Sequence, residues 1–148
     1  MSEENQQFAI QKIYLKDVSF ESLNSSQVFS DGEWKPQFNV QINSSHQAIA
    51  DNTHEVQLTV TVTAKHNEKT AFLVEVKQAG IFTMSGFPEE NLAGMLGVYC
   101  PETLFPYARV AVSKLISKAG FPKLLLAPVN FKQMQQQAEA QAEQGAAN

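Results

Sequence analysis

Glu55-Val-Gln-Leu-Thr-Val-Thr-Val-Thr-Ala64 alternates strictly between apolar and polar side chains. Successive side chains of a strand point to opposite faces. Val56, Leu58, Val60, Val62 and Ala64 therefore share one face, and Glu55, Gln57, Thr59, Thr61 and Thr63 the other. The threonines suit a pleated, half-wet surface. His66-Asn-Glu-Lys69 reads as a short hairpin turn. The stretch from Thr70 to about Met84 is then the return strand, with Phe72, Val74, Val76 and Gln78 on one face and Leu73, Glu75 and Lys77 on the other. Gly80 predicts a bend or a bulge. A hairpin with one apolar and one polar face belongs to an antiparallel sheet covered on one side.

Working outward, the N-terminal side supplies two more strands. Phe8-Ala-Ile-Gln-Lys-Ile-Tyr14 leads into Lys16-Asp-Val-Ser-Phe-Glu21, where Val18 and Phe20 oppose Asp17, Ser19 and Glu21. That predicts a strand with a bend or bulge between Ile13 and Lys16. Residues 22–36, rich in Ser and Asn, read as a crossover loop carrying Val28, Phe29 and Trp34. Phe38, Val40 and Ile42 face inward on a short second strand, and Asn43 to Asn52 reads as a polar loop. Downstream the period changes. Pro88-Glu-Glu90 opens a helix, because Pro has no N–H to leave unpaired and acids suit the positive helix end. It is expected to reach about Gly97. A second helix is expected from Pro101 to Lys118, kinked by Pro106 and stopped by Gly120. A mostly polar segment follows Asn130. Strands followed by helices predict an α+β domain, a four-stranded antiparallel sheet with helices on one face. That domain is expected over 9–131, between a flexible N-terminus at 1–8 and a polar helix or tail at 132–148.

The bulk properties narrow the function classes. The chain has 148 residues, a net charge of -4 and one cysteine. One domain of this size buries enough surface to need no disulfide or metal staple. The acidic balance argues against nucleic-acid and anionic-membrane partners, which need basic patches. Cys100 alone makes no internal disulfide and suits a reducing cytosol. No apolar run reaches the length of a membrane-spanning helix. The polar start Met1-Ser-Glu-Glu-Asn-Gln-Gln7 lacks the charge and apolar core of a secretory signal. A cytoplasmic protein is expected.

Catalytic chemistry finds little to stand on. His46, His54 and His66 lie in or beside polar loops without metal-ligand spacing, and are expected to be solvated. Cys100 begins a helix, where a thiol can be activated, but no paired base is evident, so it is expected to be buried and structural. Asp17 and Glu21 share a wet strand face rather than a cleft. There is no phosphate loop, nucleophile elbow or dinucleotide fingerprint. Gly94 and Gly97 read as helix packing contacts. No catalytic residue, metal or cofactor is assigned.

Apolar surface is the positive signal. On the helix from Pro101, at 100° per residue, Phe105, Tyr107, Ala108, Val110, Ala111, Val112, Leu115 and Ile116 spread over roughly 240°. One sheet needs a stripe a little over about 100° wide. The surplus asks for another helix or another subunit. Trp34, Phe29, Leu124 to Leu126 and Phe131 add apolar material in loops, and large apolar patches mark interaction sites. A small-molecule or lipid carrier with a pocket under the helices is the alternative reading.

Ile13-Tyr-Leu-Lys-Asp-Val-Ser-Phe-Glu21, Trp34-Lys-Pro36, Thr70-Ala-Phe-Leu-Val-Glu-Val76, Gly80-Ile-Phe82, Leu104-Phe-Pro-Tyr-Ala-Arg109, Gly120-Phe-Pro122 and Leu126-Ala-Pro-Val-Asn-Phe131 occur in that order. Over residues 10 to 131 the chain resembles the bacterial export chaperone family SecB. The resemblance implies a homotetramer, a dimer of dimers, that holds unfolded secretory precursors without ATP or cofactor and delivers them to the translocation ATPase SecA. It implies that Asp17, Glu21, Leu73 and Glu75 dock the basic tail of SecA. Alternation independently puts these four on the outward face. It implies a precursor groove with Trp34, Val40, Ile42, Phe72, Leu125 and Phe131 as candidates. It further implies that Val74, Val76 and Gln78 face or support a subunit contact. Two departures stand out. Lys132-Gln-Met-Gln-Gln-Gln-Ala138 replaces a more apolar last helix, and Gly32 looks like a one-residue insertion before Trp34.

Overall fold

The hairpin read from the sequence forms the centre of the sheet. The computed structural model describes residues 5–147. Strands β1 (Gln7–Ser22), β2 (Gln37–Ala50), β3 (Thr53–His66) and β4 (Lys69–Ser85) pair antiparallel in the order β1-β4-β3-β2. Val62 pairs with Val74 and Val60 with Val76, so both apolar sets point the same way. They are fully buried under helix α3 (Cys100–Lys118), with Leu58, Phe72, Phe82 and Leu104. The opposite face carries no helix. The expected α+β architecture is the one observed.

Several boundaries differ from expectation, each for a physical reason. Residues 43–50 are not a loop. They continue β2 and pair with β3 down to Ala50 opposite Thr53, leaving Asp51-Asn52 as the turn. Asn43-Ser-Ser-His-Gln47 lacks alternation because this edge strand is wet on both sides there, so the period-2 signal fades. β1 begins at Gln7, and residues 1–4 of the expected flexible segment lie outside the described residues. Its irregularities fall between Ile10 and Lys12 and between Leu15 and Asp17, flanking the predicted bend. Gly80 makes no bulge, since it pairs with Ile13 and Val56 in unbroken register. Its role is close approach: a Cβ there would stand 2.7 Å from the Phe82 ring and 3.0 Å from Leu104. The crossover holds one short helix, α1 (Ser25–Ser30).

The two predicted helices are one continuous rod. α2 (Glu89–Gly94) runs through a π-helical turn, Met95–Tyr99, into α3. The Cys100 N–H bonds to the Met95 carbonyl five residues back. The wide turn ends where Pro101 supplies no N–H, which places the register change beside a missing donor. Pro106 lies inside α3, which continues past it. The chain then leads through residues 121–130 into α4 (Phe131–Ala147), capped by Asn130 Oδ1 accepting from the Gln133 N–H at 2.9 Å. A Cβ on Gly97 would run into the Gln135 side chain of α4, as at a packing glycine, whereas a Cβ added at Gly94 would meet nothing within 4 Å beyond its own helix. No helix among the described residues is long and apolar enough to cross a membrane.

Candidate binding surfaces

Two surfaces carry the predicted site residues, one on each side of the sheet. On the helix-free face, Asp17 stands opposite Lys77, Ser19 opposite Glu75 and Glu21 opposite Leu73. Directly paired side chains on one face lie about 4.5–5.5 Å apart at Cβ, so the four candidates form one patch. Leu73 and Glu75 are half-buried there, while Asp17 and Glu21 are exposed. Thr61 Oγ1 donates to Glu75 Oε1 at 3.2 Å and fixes that carboxylate from the neighbouring strand. The bulge after Leu15 turns Lys16 onto the same face, where its Nζ lies 2.6 Å from Glu55 Oε1. The Tyr14 hydroxyl donates to the same carboxylate. Lys16 chiefly, then Tyr14, holds Glu55 below its usual range. Burial, with Glu55 beside it, pushes the Tyr14 phenol up to about 12. Glu55 is thus the neutralised carboxylate of this face, and Asp17, Glu21 and Glu75 make no ion pair among the described residues.

The helix side holds the apolar surface. α3 covers β4 and β3 but leaves parts of both flanking strands open. Phe38, Val40 and Ile42 follow one another along the inner face of β2; Phe38 and Val40 are 39% and 40% exposed, enough for another chain to touch. At one end of this strip Trp34 packs on Phe121, with ring centroids 5.1 Å apart, and Phe121 packs on Phe72 and Phe29 at 4.9 Å each. At the other end Ile42 faces Phe131, Met134 and Gln135 across a cleft of about 310 Å³. The structure therefore joins Trp34, Val40 and Ile42 along β2.

The remaining candidates are placed differently. Phe72 and Phe131 are buried beneath the two ends of the strip, Phe72 beside Phe38 and Phe131 in the wall of the Ile42 cleft, where it packs edge-on against Phe105. Leu125 is 69% exposed and lines a separate cleft along α3 with Arg109, Val110, Lys114 and Lys123. Val74, Val76 and Gln78 are sealed inside the protomer, and Gln78 Nε2 donates to the Tyr14 carbonyl at 3.0 Å. They can only support a contact from behind. Sequence reasoning left Phe38 out of the groove set, although its alternation with Val40 and Ile42 was the available signal.

Two expectations about titratable groups resolve differently. Cys100 is buried, and burial pushes its thiol up to about 12, the opposite of an activated nucleophile. His66 is not solvated. It is 2% exposed, stacked on Trp34 at 5.2 Å, and its Nδ1 accepts the Lys35 backbone N–H at 3.2 Å. Its place next to a hairpin turn hid the fact that it sits on the inward parity of β3. His54, also inward, has a buried Nδ1 without a hydrogen-bond partner, and burial followed by His46 lowers its pKa. Among the described residues no group of three or more His, Cys, Asp and Glu could hold a metal.

A sheet with one bare acidic face and one partly open apolar face is what the sequence motifs implied, and comparison with known proteins decides the matter. The profile described as "Preprotein translocase subunit SecB" matches residues 1–142. The chain belongs to the SecB family. The protein-export protein SecB of Nitrosococcus oceani is 55% identical over 99% of this chain and 91% of its own length. That of Thioalkalivibrio sulfidiphilus is 56% identical over 95% and 84%. A Mycobacterium tuberculosis SecB-like chaperone, solved with a ChAD peptide from an antitoxin, superposes with a TM-score of 0.68, covering 85% of this chain and 91% of that one. At 16% identity this likeness concerns the fold. The SecB match extends to residue 142, within α4.

Proposed function

We propose that this SecB-family chain is an ATP-independent chaperone that holds unfolded secretory precursors in the bacterial cytosol and delivers them to SecA. The observation that carries the reading is the open strip Phe38, Val40, Ile42 on β2. An unfolded chain exposes apolar side chains that a folded protein hides. Each square ångström buried contributes about 25 cal/mol before the cost of ordering the segment is subtracted. One strip is therefore a weak site. Several protomers engaging one long client turn weak sites into strong avidity. Selectivity then follows from how long a client stays unfolded, with no sequence code. The relatives carry the name protein-export protein, and the mycobacterial SecB-like chaperone is described with a bound peptide; both support a client-binding role here.

Asp17, Glu21, Leu73 and Glu75 are the proposed dock for SecA. Their face is acidic and clear of the client strip, which suits a basic tail and makes docking salt-sensitive. Assembly into a dimer of dimers is proposed to cover part of the exposed apolar set on β1 and α3, namely Leu15, Val18, Tyr107 and Val110. The test of the client strip uses its exposed members. Phe38→Asp with Val40→Asp should cut suppression of aggregation of a diluted, denatured client at least several-fold, while circular dichroism and assembly stay unchanged. Full suppression by a folded double variant would refute the strip.

A further inference from the structure

His66 is the one histidine sealed from solvent, and nothing proposed so far uses it. Its ring lies between the crossover segment and the β3–β4 hairpin. Trp34 stacks on one face of it, with ring planes 30° apart. Nδ1 accepts the backbone N–H of Lys35, the residue after that tryptophan. Nε2 lies 3.3 Å from the Asn67 side-chain amide. Between Asp31 and Pro36 no regular structure fixes the chain, so these contacts, with the Phe121 ring 5.1 Å from Trp34, set where Trp34 stands.

We propose that His66 is the positioning residue that fixes Trp34 at the end of the client strip. The inference rests on the client-surface reading of Trp34. Without the ring, Trp34 loses its stacking partner and the Lys35 N–H is left without an acceptor inside the fold. The crossover segment then loosens and Trp34 is no longer held at the strip.

Trp34 is the only tryptophan in the chain, so its emission reports on this one site. His66→Ala removes both the stack and the acceptor, and should shift emission to longer wavelength than the parent and lose several-fold in client holding. His66→Phe keeps a stacking ring and the apolar bulk but cannot accept, and should fall between the two in both readouts. Trp34→Ala serves as the reference for client holding. If Trp34→Ala holds clients as well as the parent, the client-surface reading fails. If Trp34→Ala is impaired but His66→Ala is not, or if the emission of His66→Ala matches the parent's, the positioning role is overturned.

Discussion

Glu55 and His54 are neighbours in sequence and face opposite sides of the sheet, and both are displaced in the same sense. Each favours the deprotonated form in the fold. The unfolded chain therefore takes up protons first as the pH falls, and stability drops in that direction. For His54 the stabilisation is complete above about pH 6.5, the ordinary imidazole value, and is lost below it. For Glu55 the loss starts below about pH 4.5. Urea unfolding as a function of pH should show two descending steps. His54→Phe should flatten the upper one, and Lys16→Met the lower one at a cost of about 1 kcal/mol or less near neutrality, because Lys16 is largely exposed. A single step unaffected by either change would contradict the assignment. Gly80 makes the packing argument in its simplest form. An added methyl must displace the fully buried Phe82, so Gly80→Ala should cost about 1–3 kcal/mol in the same assay.

Turns and helix junctions decide the elements. Asn67 and Glu68 both have positive φ, 50° and 66°, which makes their two-residue turn the left-handed kind that matches strand twist. Asn tolerates that region and Glu does not. Glu68→Gly should therefore raise stability by about 1 kcal/mol, read as a higher urea midpoint, with no rise expected if the turn were right-handed. The same elements explain what was legible in advance. β3 and β4 announce themselves because both are covered on one face only, so burial writes a period of two into Val56 to Ala64 and Phe72 to Gln78. The far half of β2 does not, because an uncovered edge leaves no record of parity. The join between α2 and α3 stayed hidden for another reason. Pro101 reads as a helix start, and the π turn at Met95–Tyr99 carries α2 into it without a break. The shared outward face of Asp17, Glu21, Leu73 and Glu75 was legible because it rests on strand parity, while the docking role proposed for it came from the family resemblance. The apolar groove was half legible: parity found Val40 and Ile42, but whether Phe72, Leu125 and Phe131 are covered depends on how residues 121–130 cross the fold.

At the scale of the whole molecule, the division between the two sheet faces carries the account. One face carries Asp17, Glu21 and Glu75 around the half-buried Leu73. The other is covered by α3 and α4 only in the middle. Glu75→Lys reverses one charge of the first face, so it should weaken SecA binding at low salt while leaving client holding untouched; equal SecA affinity would remove that dock. The exposed residues on β1 and α3 form a second open flank, distinct from the β2 strip, so assembly and client binding need not compete for the same surface. Both demands on the exposed apolar set meet in one measurement, native mass spectrometry of the protein mixed with an unfolded polypeptide and no nucleotide. The account predicts four protomers carrying one client chain. A lone protomer with no client attached would contradict it.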